Sequence, residues 1–291
     1  MTMLVTGCGG QVGTELLRRA RAHGIDVIGL SHQELDITRS DQVDAALSRL
    51  PVTVVVNAAA YTAVDRAEHD KAAAFAVNRD GPANLAQFCT GQGIPLIHIS
   101  TDYVFDGNKP GPYTENDPVA PLGVYGASKA AGEQAVRELA PKHVILRTAW
   151  VYSAHGHNFV KTMLRLGRER DEIGVVADQV GCPTAAGEIA VAIITVIKAM
   201  QAGGDPWGTY HFCAAGQASW YQFACRIFEI ASRYRPYPVT VKPIPGTAYP
   251  TPVRRPANSV LDCSRIEETF DLDRRPWPGP LADVLGEIHN N

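Results

Sequence analysis

The chain has 291 residues, 45% of them hydrophobic and 20% charged, with a formal net charge of −3. This is a globular composition, long enough for one large domain or two of ordinary size. Without a basic stripe or a polybasic run, neither nucleic acid nor an anionic membrane surface is an expected partner.

The N-terminus enters an apolar run at Met3 and lacks the basic and apolar regions of a signal peptide, which points to a cytoplasmic protein. Met3–Thr6, Val27–Leu30, Val52–Val56, Leu96–Ser100 and Val144–Leu146 are rich in β-branched residues and do not alternate. That is the pattern of parallel strands covered on both faces. Helical patterns lie between them, over Gly10–His23, Ser40–Arg49, Lys71–Gly91 and Val124–Leu139. The alternation predicts an α/β fold, a doubly wound parallel sheet (Rossmann-like) with right-handed crossovers, over residues 1–150.

After Arg147 the pattern loosens. A helix over Phe159–Arg168 and a short strand over Ile173–Val176 are expected to return to the sheet. The apolar helix over Ala185–Met200 carries Glu188 and Lys198 and is too short to span a bilayer. Proline-dense chain from Pro236 to Pro256 must be extended or turning. Residues 151–291 are read as a smaller C-terminal substrate-binding lobe, partly interleaved with the main sheet. The six cysteines (Cys8, Cys89, Cys182, Cys213, Cys225, Cys263) form no close pair in sequence, so neither zinc nor a redox dithiol is expected, and Cys8 is read as a small filler.

The first strand runs into Gly7-x-x-Gly10-x-x-Gly13, with Gln11 and Val12 opening the helix. Gly7 permits a tight turn, Gly10 lets backbone N–H groups approach a pyrophosphate, and Gly13 allows close helix packing. The phosphate then sits at a helix N-terminus, where free N–H groups and the macrodipole favour negative charge. A glycine triplet alone can be only a turn; the strand before it and the helix after it favour a dinucleotide. The second strand ends Leu30-Ser31-His32-Gln33, with no acid and no arginine at its tip. With Ser31 there, weak discrimination between NADH and NADPH is expected. Asp36 and Ile37 either flank the adenine or, for Asp36, cap the next helix. The run Asn57-Ala58-Ala59-Ala60-Tyr61-Thr62 closes the third strand with small residues, which suit a cofactor lying across the sheet edge or close helix packing.

Tyr125 and Lys129 are four residues apart, which places them on one helix face. An ammonium beside a phenol lowers the phenol pKa, so Tyr125 can exchange a proton near neutrality. Ser100-Thr101 ends a neighbouring strand, where the Thr101 hydroxyl can orient a carbonyl. Each motif alone also suits an exposed helix face or a turn. Following a dinucleotide loop, together they point to nicotinamide-dependent reduction of a ketone.

The runs Thr6-Gly7, Gly10-Gln11-Val12-Gly13, Asn57-Ala58-Ala59-Ala60, Ser100-Thr101-Asp102-Tyr103-Val104-Phe105-Asp106-Gly107 and Tyr125-Gly126 with Lys129 resemble the extended short-chain dehydrogenase/reductase superfamily. Arg147-Thr148-Ala149-Trp150-Val151-Tyr152, Asn158–Met163, Asp178-Gln179 with Gly181 and Pro183-Thr184, and Arg255-Pro256 with Asn258-Ser259 narrow this. Over nearly its whole length the chain resembles the dTDP-4-dehydrorhamnose reductase family.

The resemblance implies a dTDP-4-keto-6-deoxy-hexose substrate, dTDP-6-deoxy-L-lyxo-4-hexulose, reduced at C4 with NADPH or NADH to dTDP-L-rhamnose. It makes Tyr125 the proton donor and gives Lys129 two tasks, lowering the phenol pKa and holding the ribose. Thr101 bonds the C4 oxygen, and Asp102 either orients the site or caps the strand. Trp150 packs on the sugar, with Thr62 and Val64 near it, while Asn158, Arg255 and Asn258 reach the diphosphate. Ala60, Tyr61, Thr62 and Ile99 lie on the cofactor side. A homodimer bridged by Mg²⁺ at Glu15, Glu188 and Glu287, and contact with the upstream epimerase, are further expectations. Two rivals share the resemblance: a non-catalytic NAD(P)-binding regulatory subunit, and a sibling nucleotide-4-keto-sugar reductase. The intact Thr101, Tyr125 and Lys129 set argues against the first.

Overall fold

The computed structural model describes residues 1–290. From the N-terminus the chain runs β1 (Thr2–Thr6), α1 (Gln11–Ala22), β2 (Asp26–Leu30), α2 (Ser40–Leu47) and β3 (Val54–Asn57). Then come α3 (Val64–Ala67), α4 (Lys71–Phe75), α5 (Gly81–Gln92), β4 (Leu96–Thr101), α6 (Val124–Leu139) and β5 (His143–Thr148). The rest is β6 (Val151–Tyr152), α7 (Phe159–Glu169), β7 (Glu172–Val176), β8 (Val180–Gly181), β9 (Thr184–Ala185), α8 (Ala186–Gln201) and β10 (Gly208–His211). It ends with β11 (Ala218–Ser219), α9 (Trp220–Ala231), β12 (Thr240–Ile244), α10 (Ser264–Phe270) and α11 (Pro278–Asn290).

Six parallel strands form the central sheet in the order β10-β5-β4-β3-β1-β2. The five expected strands are all present. Their lack of alternation has a direct cause: Met3 and Val5 of β1 face one helical layer and Leu4 the other. Helices α1 and α8 cover the first face, and α2, α5 and α6 the second. From β1 the chain steps outward to β2, then back across to β3, so a topological switch point lies between β1 and β3. In such sheets ligands bind at the C-terminal strand ends beside this point.

The expectation that Ile173–Val176 returns to the main sheet is not met. Strand β7 pairs in parallel with β12, outside the central sheet. Its Ile173 and Val175 are buried with α7, α9 and α11 in a separate apolar cluster. The strand that does return is β10, which pairs with β5. Helix α8 and β10 thus lie within the sheet layers, although both come after residue 150. Among the described residues, no helix is long and apolar enough to cross a membrane.

The helix expected over Lys71–Gly91 is interrupted by a π-helical turn at Ala76–Asp80. Pro82 has no N–H for the Asn78 carbonyl four residues back, so regular α-helix cannot pass through this point. The Asn78 carbonyl instead approaches Gly132 of α6 at a distance that leaves no room for a Cβ. This close contact fixes α6, the helix carrying Tyr125 and Lys129, against the rest of the domain.

Candidate active site

Gly7 adopts φ +67°, and a Cβ there would lie 2.6 Å from the Ala59 Cα. The glycine loop is therefore pressed onto the end of β3 at the switch point. A Cβ on Gly13 would strike the Gly7 carbonyl and Cys8, so Gly13 lets α1 start directly on its own loop. Gly10 is the N-cap of α1 and provides no side-chain cap, while a Cβ on Gly9 would meet nothing within 4 Å. Uncapped N–H groups beside open space fit a dinucleotide pyrophosphate. The Gln11 side chain turns away from this space, its Oε1 accepting from Ser153 Oγ and Asn158 Nδ2.

The tip of β2 differs from the expectation of no acid there. A turn returns the Glu34 carboxylate to Ser31, where it accepts from the backbone N–H at 2.8 Å and the hydroxyl at 2.7 Å. An anion at this place opposes a 2′-phosphate and suits a ribose hydroxyl. Glu34→Gln is therefore expected to raise the NADPH/NADH ratio of kcat/KM by about fivefold, the weight of one solvent-screened charge pair. An unchanged ratio would remove Glu34 from cofactor choice. Asp36 accepts from the Thr38 N–H and hydroxyl, so it closes a turn ahead of α2. Ile37 is a core residue, its side chain packed against Gly81.

Tyr125 and Lys129 lie in the first half of α6, whose Val124 N–H is capped by Glu68 Oε1. Gly126 packs on the Tyr103 carbonyl with no space for a Cβ. This brings α6 onto the turn after β4, where the Tyr103 and Tyr125 rings meet edge-on at 5.6 Å. Burial pushes the Tyr125 phenol above its ordinary pKa; the Thr101 hydroxyl opposes this, and Asp102 and Tyr103 add to it. Burial outweighs any lowering by Lys129, whose Nζ donates to the Ile99 carbonyl at 2.7 Å. At neutral pH Tyr125 therefore carries the proton that a donor needs. Burial lowers Lys129 to about 8, against the opposing charge of Glu133.

Thr101 Oγ1 donates to Asp102 Oδ1 at 2.9 Å and accepts from the Tyr103 N–H. Asp102 is buried, and its Oδ2 has no partner. Burial raises this carboxyl from 3.8 to about 6, partly offset by the nearby Ser259 and Thr101 hydroxyls. A carboxyl with a raised folded pKa contributes stability below its unfolded pKa and loses it as pH rises through the folded one. Asp102→Asn is thus expected to gain stability over wild type between pH 4 and pH 8, by about 2 kcal/mol. Urea unfolding at both values checks this, and a difference independent of pH would show that Asp102 is ionised throughout.

On the substrate side, Trp150 has φ +49° and stacks on Trp220 at 3.4 Å, with Nε1 donating to Ser259 Oγ. Such a backbone is held only where its surroundings enforce it. Arg255 pairs with Asp65, neighbour of Val64 on α3, and lies 5.8 Å from the Tyr103 ring centroid. It is thereby close to the Tyr103–Tyr125 pair. Two asparagines expected at a diphosphate have other work. Asn158 caps α7 through Lys161 N–H and donates to Gln11 and Ser153. Asn258 donates to the Lys109 and Gly111 carbonyls and accepts from Val260 N–H, which ties down the loop after β4.

The family model described as RmlD substrate binding domain matches residues 1–290. The chain belongs to this family. It is 45% identical over 279 residues to a dTDP-4-dehydrorhamnose reductase of Sinorhizobium fredii, covering 95% of this chain and 94% of the relative. The crystal structure of a dTDP-4-dehydrorhamnose reductase from Clostridium acetobutylicum aligns with TM-score 0.93 at 39% identity, covering 99% of each chain. That of the Bacillus anthracis dTDP-4-dehydrorhamnose reductase in complex with NADP aligns with TM-score 0.92 at 37% identity, covering 98% of this chain and 99% of that one.

In this member of the RmlD substrate binding domain family the three glutamates expected to hold Mg²⁺ line one small cavity, where arginines pair with them. Glu15 and Glu287 do come together, with His155 as third neighbour. However, Arg18 bonds both carboxylates, at 2.9 Å to Glu15 and 3.1 Å to Glu287, and Arg19 adds a 3.0 Å bond to Glu15. Guanidinium groups already neutralise the oxygens that a hard cation needs. Glu188 lines the same small cavity as Glu15 and Glu287, where it pairs with Arg275. Sequence reasoning also missed Asn78, which clamps Tyr61 N–H and carbonyl and reaches Ser128 Oγ on α6. Its available signal was Pro82, placed where a helix should continue.

Proposed function

We propose that this chain reduces the C4 ketone of dTDP-6-deoxy-L-lyxo-4-hexulose to dTDP-L-rhamnose, with NADPH or NADH as reductant. The observation carrying this reading is the assembly of Thr101, Tyr125 and Lys129 at the C-terminal end of β4, on the sheet edge where the glycine loop meets β3. A reduced nicotinamide, when bound, supplies a hydride to C4. Tyr125, protonated at neutral pH, gives its proton to the developing C4 alkoxide, which balances the two-electron reduction. Thr101, held in place by Asp102, steadies that oxygen by turning its hydroxyl proton from Asp102 to the substrate. The glycine loop (Gly7, Gly10, Gln11, Val12, Gly13) would hold the pyrophosphate through backbone N–H groups.

Trp150 and Arg255 are the residues best placed to meet sugar and diphosphate. A homodimer, and handover from the epimerase that makes the ketone, belong to the same reading. The test is NADPH oxidation in the presence of the ketone generated by that epimerase, with product analysis. Formation of dTDP-L-rhamnose supports the proposal. Cofactor binding without turnover would exclude this sugar and direct attention to a sibling nucleotide-4-keto sugar.

A further inference from the structure

Lys129 has two neighbours besides its own helix. Nζ donates to the Ile99 carbonyl at 2.7 Å and lies 3.4 Å from His98 Nε2. His98 is fully buried in β4, and its other ring nitrogen, Nδ1, is 3.1 Å from Asn57 Nδ2 on β3. The protons along this row follow from a backbone group. Asn57 Oδ1 faces the Ala59 N–H at 3.2 Å and the Thr6 hydroxyl at 2.7 Å. A backbone N–H can only donate, so turning the carboxamide over would set two donors against each other in a buried place. Asn57 Nδ2 is therefore the donor toward His98, and Nδ1 accepts. Burial and the adjacent Lys129 hold His98 well below the usual imidazole value, so the ring is neutral. Its single proton is then on Nε2, pointing at Lys129. An ammonium has only donors to offer that N–H; a neutral amine has a lone pair.

We propose that His98, oriented by Asn57, is a positioning residue that presents an N–H to Lys129 and so favours its amine over its ammonium. The consequence for catalysis rests on the reductase reading above. Once Tyr125 has protonated the sugar oxygen, its phenolate must be protonated again. An ammonium facing an N–H gives up its proton more readily than an ordinary lysine. In this step an N–H bond of Lys129 breaks and the O–H bond of Tyr125 forms, a water carrying the proton between the two groups, and solvent returns a proton to the amine. The other charged and titratable groups around Lys129 are Glu133 one turn on, held by Arg137 of the same helix and Arg147 of β5, and Tyr125 one turn back. Glu133 opposes His98 by favouring the ammonium.

The experiment is two-bond ¹H–¹⁵N correlation NMR on full-length protein with ¹⁵N-labelled histidine, His98 being assigned by its loss in His98→Phe. The expected result is the Nε2–H tautomer in wild type. Asn57→Asp, which puts an acceptor opposite Nδ1, is expected to switch the ring to Nδ1–H. In parallel, the alkaline limb of the kcat–pH profile should move up by about one unit in both variants, with KM for the sugar unchanged. A wild-type ring in the Nδ1–H form, or a limb that stays in place in both variants, would overturn the proposal. Should His98→Phe not fold, Asn57→Asp identifies the ring by its tautomer change, and an unchanged spectrum in that variant counts against the proposal. The NMR result does not depend on turnover, so failure of the sugar assay and failure of the His98 assignment are separable.

Discussion

Tyr125→Phe is expected to lower kcat by roughly two to four orders of magnitude, the range for loss of a general acid. The substitution removes one oxygen and keeps the ring that meets Tyr103 edge-on. Substrate KM should therefore stay within a small factor. Neither neighbouring hydroxyl is acidic enough to replace the lost proton: Thr101 is an ordinary alcohol, and the Tyr103 phenol is raised to about 12 by burial. Single-turnover measurement of nicotinamide oxidation separates the chemical step from product release. Turnover close to wild type would show that the proton comes from elsewhere.

Arg147→Met is expected to cost about 3 kcal/mol of stability, because it leaves the buried Glu133 carboxylate with only the partly exposed Arg137, 3.3 Å away, as a charged partner. Glu133 and Arg147 have side chains only 0% and 3% exposed, joined by bonds of 2.8 Å from Nε and 2.7 Å from Nη2. Ser100 adds a third bond to Glu133, at 2.6 Å. Burial would raise the Glu133 carboxyl, but Arg147 and Ser100 prevail and hold it below its ordinary value of 4.5. Its contribution is therefore present above that value and lost as pH falls through the lower folded one. The double variant Glu133→Leu/Arg147→Met should recover much of the loss, since no lone charge remains. Equal loss in the single and double variants would mean that shape, not charge, controls this site.

Much of the sheet was legible because its strands are buried on both faces and so appear as continuous apolar runs. Strand β10, Gly-Thr-Tyr-His, offers no such run; only its register with β5, Thr209 opposite Ile145, makes it a strand. The Tyr125–Lys129 spacing was legible because a helix converts four residues into one face. The direction of the Tyr125 shift was not, because it depends on how deeply Tyr103 and Asp102 enclose the phenol. Glu34, Asn158, Asn258 and Arg18 are similar cases. Their residue types suit a ligand, a cap or an ion pair equally well, and only the folded neighbours decide between them.

The late arrival of β10 matters during synthesis. A ribosome adds roughly 5–20 residues per second. While residues 149–207 are being made, the outer side of β5 has no neighbouring strand. For roughly 3–12 s at that rate the nascent chain presents an apolar parallel edge to its surroundings. Such an edge is a template for pairing with other chains. The segment that ends this exposure is one of the least apolar in the sheet, so closure of the edge waits on four modest residues.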